Sequence, residues 1–358
     1  MLKLGPHFMT GGTGLSAWLR LGCTLVKYCR DFPQGEPLGG ALLIGRADHM
    51  ADGWVGQGDP VQAARAFYAT ALEPAMIANP HIPAWESPNE PVVDAEGESL
   101  DTSRPRMRWY AAYLPELARL VREDGRRMPV LGAWPVGNPT RLELWAEYGP
   151  VLQAIRHYGG LHSRHSYGVL DEAYALRHRR DQAEFDKLGY PGTPTALTEV
   201  GLDHVGGLKP WRLQYGGSLE RYFNEWLAPM ERELRRDPYV IGATVFTLGT
   251  GGDARWNDFD LAGGDVLDLI TRLASLAAEP WPSSPPAPPS GPVALVGRRI
   301  RITASPYLRL RRGPGGAHDI LTGLLPGTEL LVLEQRGVWA RVTTSGWIST
   351  APGLVAVL

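Results

Sequence analysis

Apolar runs of strand length alternate, over most of the chain, with stretches whose apolar residues recur every three or four positions. Eight runs fit strands: LKLGPHFM, TLVKYC, ALLIGR, PAWESPNE, PVLGAW, GLHSRHSY, PTALTEVG and VIGATVFTL. Between the third and fourth lies VQAARAFYATALEPAMIA, with helical spacing; MRWYAAYLPELARLVRED, RLELWAEYGPVLQAIRHY and LERYFNEWLAPMERELRR follow the fourth, fifth and seventh with the same period. Strands interleaved with helices predict a parallel sheet, and eight of them predict closure into a (β/α)8 TIM barrel. The first two connections are short for full helices. A doubly wound open sheet is the competing architecture, but no GxGxxG follows an early strand.

The pattern breaks at residues 279–292, EPWPSSPPAPPSGP, where seven of fourteen residues are proline. Such a stretch can form neither a helix nor a central strand and reads as an extended linker. It separates a first domain, residues 1–278, from a second at 293–358. The second holds VGRRIRITA, YLRLRRGPG, GTELLVLEQ, WARVTT and GWIST, short strands between Gly, Pro and Ser turns that predict a small all-β barrel.

Composition narrows the picture modestly. A hydrophobic share of 44% and a charged share of 21% belong to an ordinary globular protein, and a formal charge of -2 supplies no attraction to nucleic acid or an anionic membrane. Twelve tryptophans against seven phenylalanines suit either a sugar-binding cleft or a large-residue core. Cys23 and Cys29 lie on one predicted strand, too far apart for a disulfide, and read as buried thiols. No run is long enough to span a membrane. MLKLGPHFMTGG lacks a leader's apolar core, which leaves the location open: export by another route, or a leader outside this sequence.

Candidate chemistry gathers on WESPNEP. Glu86 and Glu90 share parity, so on a strand both face the barrel interior, with Glu90 at the C-terminal mouth and Glu86 deeper, in need of a cationic or hydrogen-bonding partner. Pro91 is expected to end that strand. Glu199 closes PTALTEVG just before Gly201. Two carboxylates at the mouth ends of different strands are the minimal kit for glycoside hydrolysis; the competing reading of each is a charge at a strand end. On the sixth strand, His162 and His165 are three apart and fall on opposite faces, which removes a metal reading of HSRH, while His165 and Tyr167 share a face. The DARWNDFD stretch, with Trp256, Asp258 and Asp260, lacks the spacing of a calcium loop and reads as a solvated loop. No cofactor or metal is called for.

WESPNEP, HSYG and LTEVG together resemble the clan A glycoside hydrolases, retaining enzymes on a (β/α)8 barrel. The resemblance implies Glu90 as acid/base, Glu199 as nucleophile, Asn89 as the partner of a sugar 2-hydroxyl, and Glu86 as a structural carboxylate. It implies that His165 and Tyr167 line the rim, with the tyrosine hydroxyl on the nucleophile. Strand eight carries Phe246 where the clan commonly has tryptophan, so Trp256 is expected to supply the floor from the following loop. Lys27, Arg30 and Asp31 lie where the clan often has an arginine. The C-terminal region, YLRLRRGPG through GWIST, resembles a bacterial SH3-like domain, which implies a cell-wall glycan or peptide partner or a packing role without a ligand. The leading expectation is therefore a retaining glycosidase acting on an oligo- or polysaccharide; the alternatives are a catalytically silent glycan- or wall-binding barrel and a lysin acting on peptidoglycan.

Overall fold

The computed structural model describes residues 2–9, 14–29, 32, 40–47, 53–95, 97–262, 265–281, 296–303, 308–314, 318–336, 339–343, 345–350 and 355–357. Arg30, Asp31 and the proline-rich segment from 282 onward lie outside these. The chain divides into two compact units, Met1–Trp281 and Pro282–Leu358.

In the first unit eight strands close a parallel barrel in sequence order: β1 (Leu4–Phe8), β2 (Leu25–Tyr28), β3 (Leu42–Arg46), β4 (Ala84–Glu86), β5 (Met128–Trp134), β6 (Leu161–Tyr167), β7 (Thr195–Gly201) and β8 (Val240–Leu248). The connection from β1 to β2 holds only α1 (Leu15–Arg20), and none of the described residues between β2 and β3 is helical. From β3 on, the connections carry longer helical segments. They include α2 (Pro60–Phe67), α3 (Glu73–Ala78), α4 (Leu100–Arg119), α5 (Gly149–Tyr158), α6 (His178–Lys187), α7 (Trp211–Tyr215), α8 (Leu219–Tyr222), α9 (Ala228–Arg236) and, after β8, α10 (Asp265–Ala278). Local signals start and stop them. Asp59 and Ser99 cap α2 and α4 by accepting from Gln62 and Thr102 amides, and Gly159 ends α5 with φ +63°. The Ser99 cap begins α4 earlier than the apolar pattern predicts.

The interior of the barrel is layered. Leu25, Ile44, Ala84, Val130, Leu161 and Ala196, one from each of β2 to β7, form an apolar cluster of their own. Two residues further along the same strands come Lys27, Arg46, Glu86, Gly132, Ser163 and Thr198, so the next layer toward the C-terminal mouth is polar. The outer faces pack on the helices. There the tryptophan question resolves mostly toward the core, since Trp18, Trp85, Trp134, Trp145 and Trp211 are among the largest fully buried side chains. The β8-to-β1 seam is pinned from outside by Glu231 of α9, whose carboxylate accepts from the backbone amides of Lys3 and Leu4 and from Arg235.

One irregularity positions the chemistry. Along β6 the pairing steps from Arg164↔Leu197 to His165↔Glu199, and along β8 it steps from Ala243↔Leu197 to Val245↔Val200. Strand β7 thus carries one extra residue against both neighbours, a bulge at Thr198–Glu199. Strict alternation would send those two side chains to opposite faces; the bulge lets both reach the interior.

The second unit holds two antiparallel sheets. One has β9 (Arg299–Ile302) between β12 (Glu329–Leu331) and β16 (Val355–Val357). The other runs in the order β11 (Ile320–Leu324), β10 (Leu308–Arg311), β15 (Trp347–Ser349), β14 (Trp339–Arg341), β13 (Glu334–Arg336). Its core, including Ile300, Ile302, Leu308, Leu310, Ala340 and Ile348, follows the alternation visible in RIRI and LRLR. GTELLVLEQ, expected as one strand, splits into β12 and β13. The pattern missed β11, which is exposed on both faces and therefore does not alternate.

Gly5 shows how tightly the barrel closes: a Cβ there would lie 1.7 Å from the Leu25 carbonyl oxygen. Gly5→Ala should therefore force the β1 and β2 backbones apart and cost about 3 kcal/mol or more, at the upper end of overpacking penalties. Urea unfolding of the variant checks this, with a wild-type midpoint contradicting it.

Candidate active site

Glu199, delivered by the β7 bulge, sits at the centre of the mouth. Its Oε1 accepts from Arg46 at 2.7 Å and from Lys27 at 3.0 Å, with His7 Nε2 at 3.6 Å. Its Oε2 accepts the Tyr167 hydroxyl at 2.8 Å, and His165 Nδ1 lies 3.5 Å away. Burial alone raises a carboxyl's pKa, but His165, Lys27 and Arg46, with the His7 contact, more than offset it and hold Glu199 well below the usual range. The same environment, by burial first and then by the Glu199 charge, pushes the Tyr167 hydroxyl well up, so it stays a donor.

Glu90 arrives differently from the expectation. Strand β4 ends at Glu86, so Glu90 is a loop residue and its parity with Glu86 is not what aims it. Its backbone has φ +45°, a left-handed conformation that costs a non-glycine residue about 1 kcal/mol, and its amide donates to the Ala133 carbonyl at 3.1 Å. The carboxylate, 42% exposed, pairs with His165 Nδ1 at 2.7 Å. One oxygen of Glu90, one of Glu199 and a ring nitrogen of His165 lie within 4.8 Å of one another. Asn89 accepts through Oδ1 from the same Arg46 nitrogen that bonds Glu199.

Below them Glu86 is fully buried, 2.7 Å from Lys27 Nζ, and accepts the Thr198 hydroxyl at 2.6 Å. Burial opposes its ionisation, but Lys27, His165 and Arg46 lower its pKa. The expected deep partner is thus Lys27. His162 faces away, beside Tyr148, Trp145 and Phe185, with its pKa driven well down by burial and by Arg164 and His178. Cys23 is buried and Cys29 is partly buried. Its thiol lies 3.4 Å from His7 Nε2, and its pKa is lowered by Arg46, His7 and Lys27 against the effect of burial.

The mouth encloses a cavity of about 130 Å³ lined by Met9, Arg46, Asn89, Glu90, Tyr167, Glu199, Asp203, Phe246, Trp256 and Phe259. Trp256 and Phe246 meet edge to face at 5.3 Å and form one wall. Asp260 is a structural loop anchor that accepts from the Gly249 and Ala262 amides. Sequence reasoning left His7 and Arg46 out and placed Lys27 without a role. The available signal was a charged or imidazole group inside an apolar strand, as in LKLGPHFM, TLVKYC and ALLIGR.

No family model and no curated protein matches the chain. Solved structures do. A GH128 (subgroup II) endo-β-1,3-glucanase from Pseudomonas viridiflava is similar at 17% identity, covering 78% of this chain and 98% of its own, with a TM-score of 0.43. A triple mutant of an endo-β-1,4-glucanase from Xanthomonas axonopodis pv. citri gives 10% identity, 77% and 100% coverage, and a TM-score of 0.46. A calcium-binding mutant of Bacteroides uniformis β-glucuronidase 2 gives 13%, 100% and 45%, and 0.49. These neighbours are glycoside hydrolases.

Chemically, the mouth offers one buried carboxylate held as an anion and one solvent-reachable carboxylate facing it. Glu90, His165 and Glu199 are also, among the described residues, the one group of three donors close enough to hold a cation. Each donor is already bonded within the protein, and we assign them no metal.

The depressed pKa values of Glu86 and Glu199 give stability a pH dependence. The folded carboxylates resist protons that the unfolded chain accepts, so their contribution is full above about pH 4.5 and declines as pH falls below it. Glu86→Gln should lower stability by roughly 3 kcal/mol near neutrality, the low end for breaking a buried pair because Glu199 still faces Lys27. The variant should also lose less than wild type on acidification. Urea melts near neutrality and in acid check both parts; an unchanged acid slope contradicts the assignment.

Proposed function

We propose that the chain is a glycoside hydrolase that cleaves β-glycosidic bonds with retention of configuration, using Glu199 as nucleophile and Glu90 as acid/base. The observation that carries the reading is the approach of their carboxylate oxygens to within 4.8 Å. Retaining enzymes hold their two carboxyl groups roughly 5–5.5 Å apart, whereas inverting enzymes leave roughly 6.5–9.5 Å for a water.

In the first step an oxygen of Glu199 bonds to the anomeric carbon as the glycosidic C–O bond breaks, and the Glu90 proton passes to the departing oxygen. In the second, Glu90 takes a proton from water as the water oxygen bonds to the anomeric carbon, and the ester bond to Glu199 breaks. Arg46, Lys27 and the Tyr167 hydroxyl keep Glu199 ionised and oriented for the first step. In this reading Asn89 bonds the sugar 2-hydroxyl, and the Trp256–Phe246 wall receives an apolar sugar face. The substrate class is an oligo- or polysaccharide. The C-terminal unit acts as an SH3-like accessory module that retains a polymeric glycan or wall peptide.

A panel of chromogenic glycosides and insoluble glycans, tested with wild type and Glu199→Gln, decides whether the chain hydrolyses glycans through this residue. Glu90→Gln should slow substrates with poor leaving groups roughly a hundredfold to ten-thousandfold while sparing the first step on activated aryl glycosides, which need little protonation. Azide should then restore turnover of the activated substrate, since it needs no general base, and the product should form with retention by NMR. Rescue of Glu86→Gln in place of Glu90→Gln, or an inverted first product, would overturn the assignment.

A further inference from the structure

Three charged groups form a column through the middle of the barrel. Thr244 of β8 donates to the Thr198 carbonyl at 2.6 Å, and the Thr198 hydroxyl donates to Glu86 Oε1 at 2.6 Å. Glu86 Oε2 meets Lys27 Nζ at 2.7 Å, and Lys27 reaches Glu199 Oε1 at 3.0 Å. Thr198 directly precedes Glu199, so the column holds the strand at the Thr198 carbonyl in the bulge and holds Glu199 itself through its carboxylate. We infer that Lys27, seated between Glu86 and Glu199, ties the position of Glu199 to the barrel interior and acts with Arg46 to keep it charged, and that Glu86 holds Lys27 there. The inference rests on the reading of Glu199 as nucleophile only for its catalytic consequence.

Burial sets Lys27 apart from Arg46 beside Glu199. Its side chain is fully buried, as is that of Glu86, whereas the Arg46 side chain is 14% exposed. A charge in a dry surrounding acts more strongly on its neighbour than one reached by water. A lysine ammonium in such a place is tolerated only if anions compensate it, and here one carboxylate from β4 and one from β7 do so. The remaining groups facing Glu199 are His7 and Cys29 from β1 and the end of β2, His165 and Tyr167 from β6, and the acids Glu90 and Asp203 at the rim. The acids oppose ionisation, and the lysine and arginine that donate hydrogen bonds directly to Glu199 are Lys27 and Arg46.

Removing Lys27 alone would strand Glu86 without the cation in contact with it, and such a variant could fail to fold for that reason. The double variant Lys27→Met/Glu86→Gln removes both charges with little change in volume, leaving Glu199 with Arg46 and Tyr167. Glu199 is followed in the full chain by NMR of 13C-carboxyl-labelled glutamate, with Glu199→Gln identifying its resonance. The double variant should titrate Glu199 at a pH at least one unit above wild type and unfold closer to wild type than Lys27→Met does. The acid limb of its kcat/KM profile should move up by the same amount, a tenfold loss on the acid side that a merely destabilised enzyme would not show. Glu86→Gln, whose amide oxygen can still accept from Lys27 Nζ and hold it beside Glu199, should not raise that titration. An unchanged Glu199 titration in the double variant overturns the inference. A raised titration in a chain with no Glu199-dependent hydrolysis overturns the proposed function and leaves the role of Lys27 standing.

Discussion

Placing ionised groups inside a closed barrel is the constraint around which the first unit is built. An isolated buried charge is costly, so the polar layer above Leu25, Ile44 and Ala84 is neutralised internally: Lys27 and Arg46 face Glu86 and Glu199. The neutralisation is lateral, between β2, β3, β4 and β7, and so each of those strands is held in register by a partner it does not pair with. The apolar layer beneath shuts water out from that side, and the mouth above is where solvent and Glu90 meet.

Precision at this mouth comes from departures from regular structure. The β7 bulge brings Thr198 and Glu199 to the same interior, so that one residue anchors the strand and the next does chemistry in the proposed mechanism. Glu90 adopts a positive φ, and its amide is held by Ala133, which also has a positive φ of 44°. Two such residues joined by one hydrogen bond store strain beside the proposed acid/base, a common accompaniment of a functional site. Glu90 is exposed and borne by a loop, whereas Glu199 is buried and borne by a strand.

The aromatic content serves stability more than binding. Trp145, Tyr148 and Phe185 each meet the His162 ring edge to face, and burial there, with Arg164 and His178, drives its pKa well down. Trp256 is the tryptophan that lines the cavity among the described residues, beside Phe246 of β8.

Periodicity in the sequence determined the eight strands and most of the helices between them, because each apolar face must meet a core and leaves its period behind. The motifs WESPNEP, HSYG and LTEVG, by their places at strand ends and by resemblance, pointed to Glu90, Glu199, His165 and Tyr167, which the fold brings together at one mouth. The RIRI and LRLR alternation likewise marked the strands of the second unit. What the tertiary structure alone decided has one physical cause: position relative to neighbouring strands is a property of pairing, and pairing leaves no local trace. The bulge at Thr198–Glu199 and the early end of β4 at Glu86 are set by strands distant in sequence. So is the meeting of Lys27 with Glu199, 172 residues apart. The reading of Glu86 as a deep carboxylate called for a partner; that the partner is the lone lysine of TLVKYC depended on how the barrel closed.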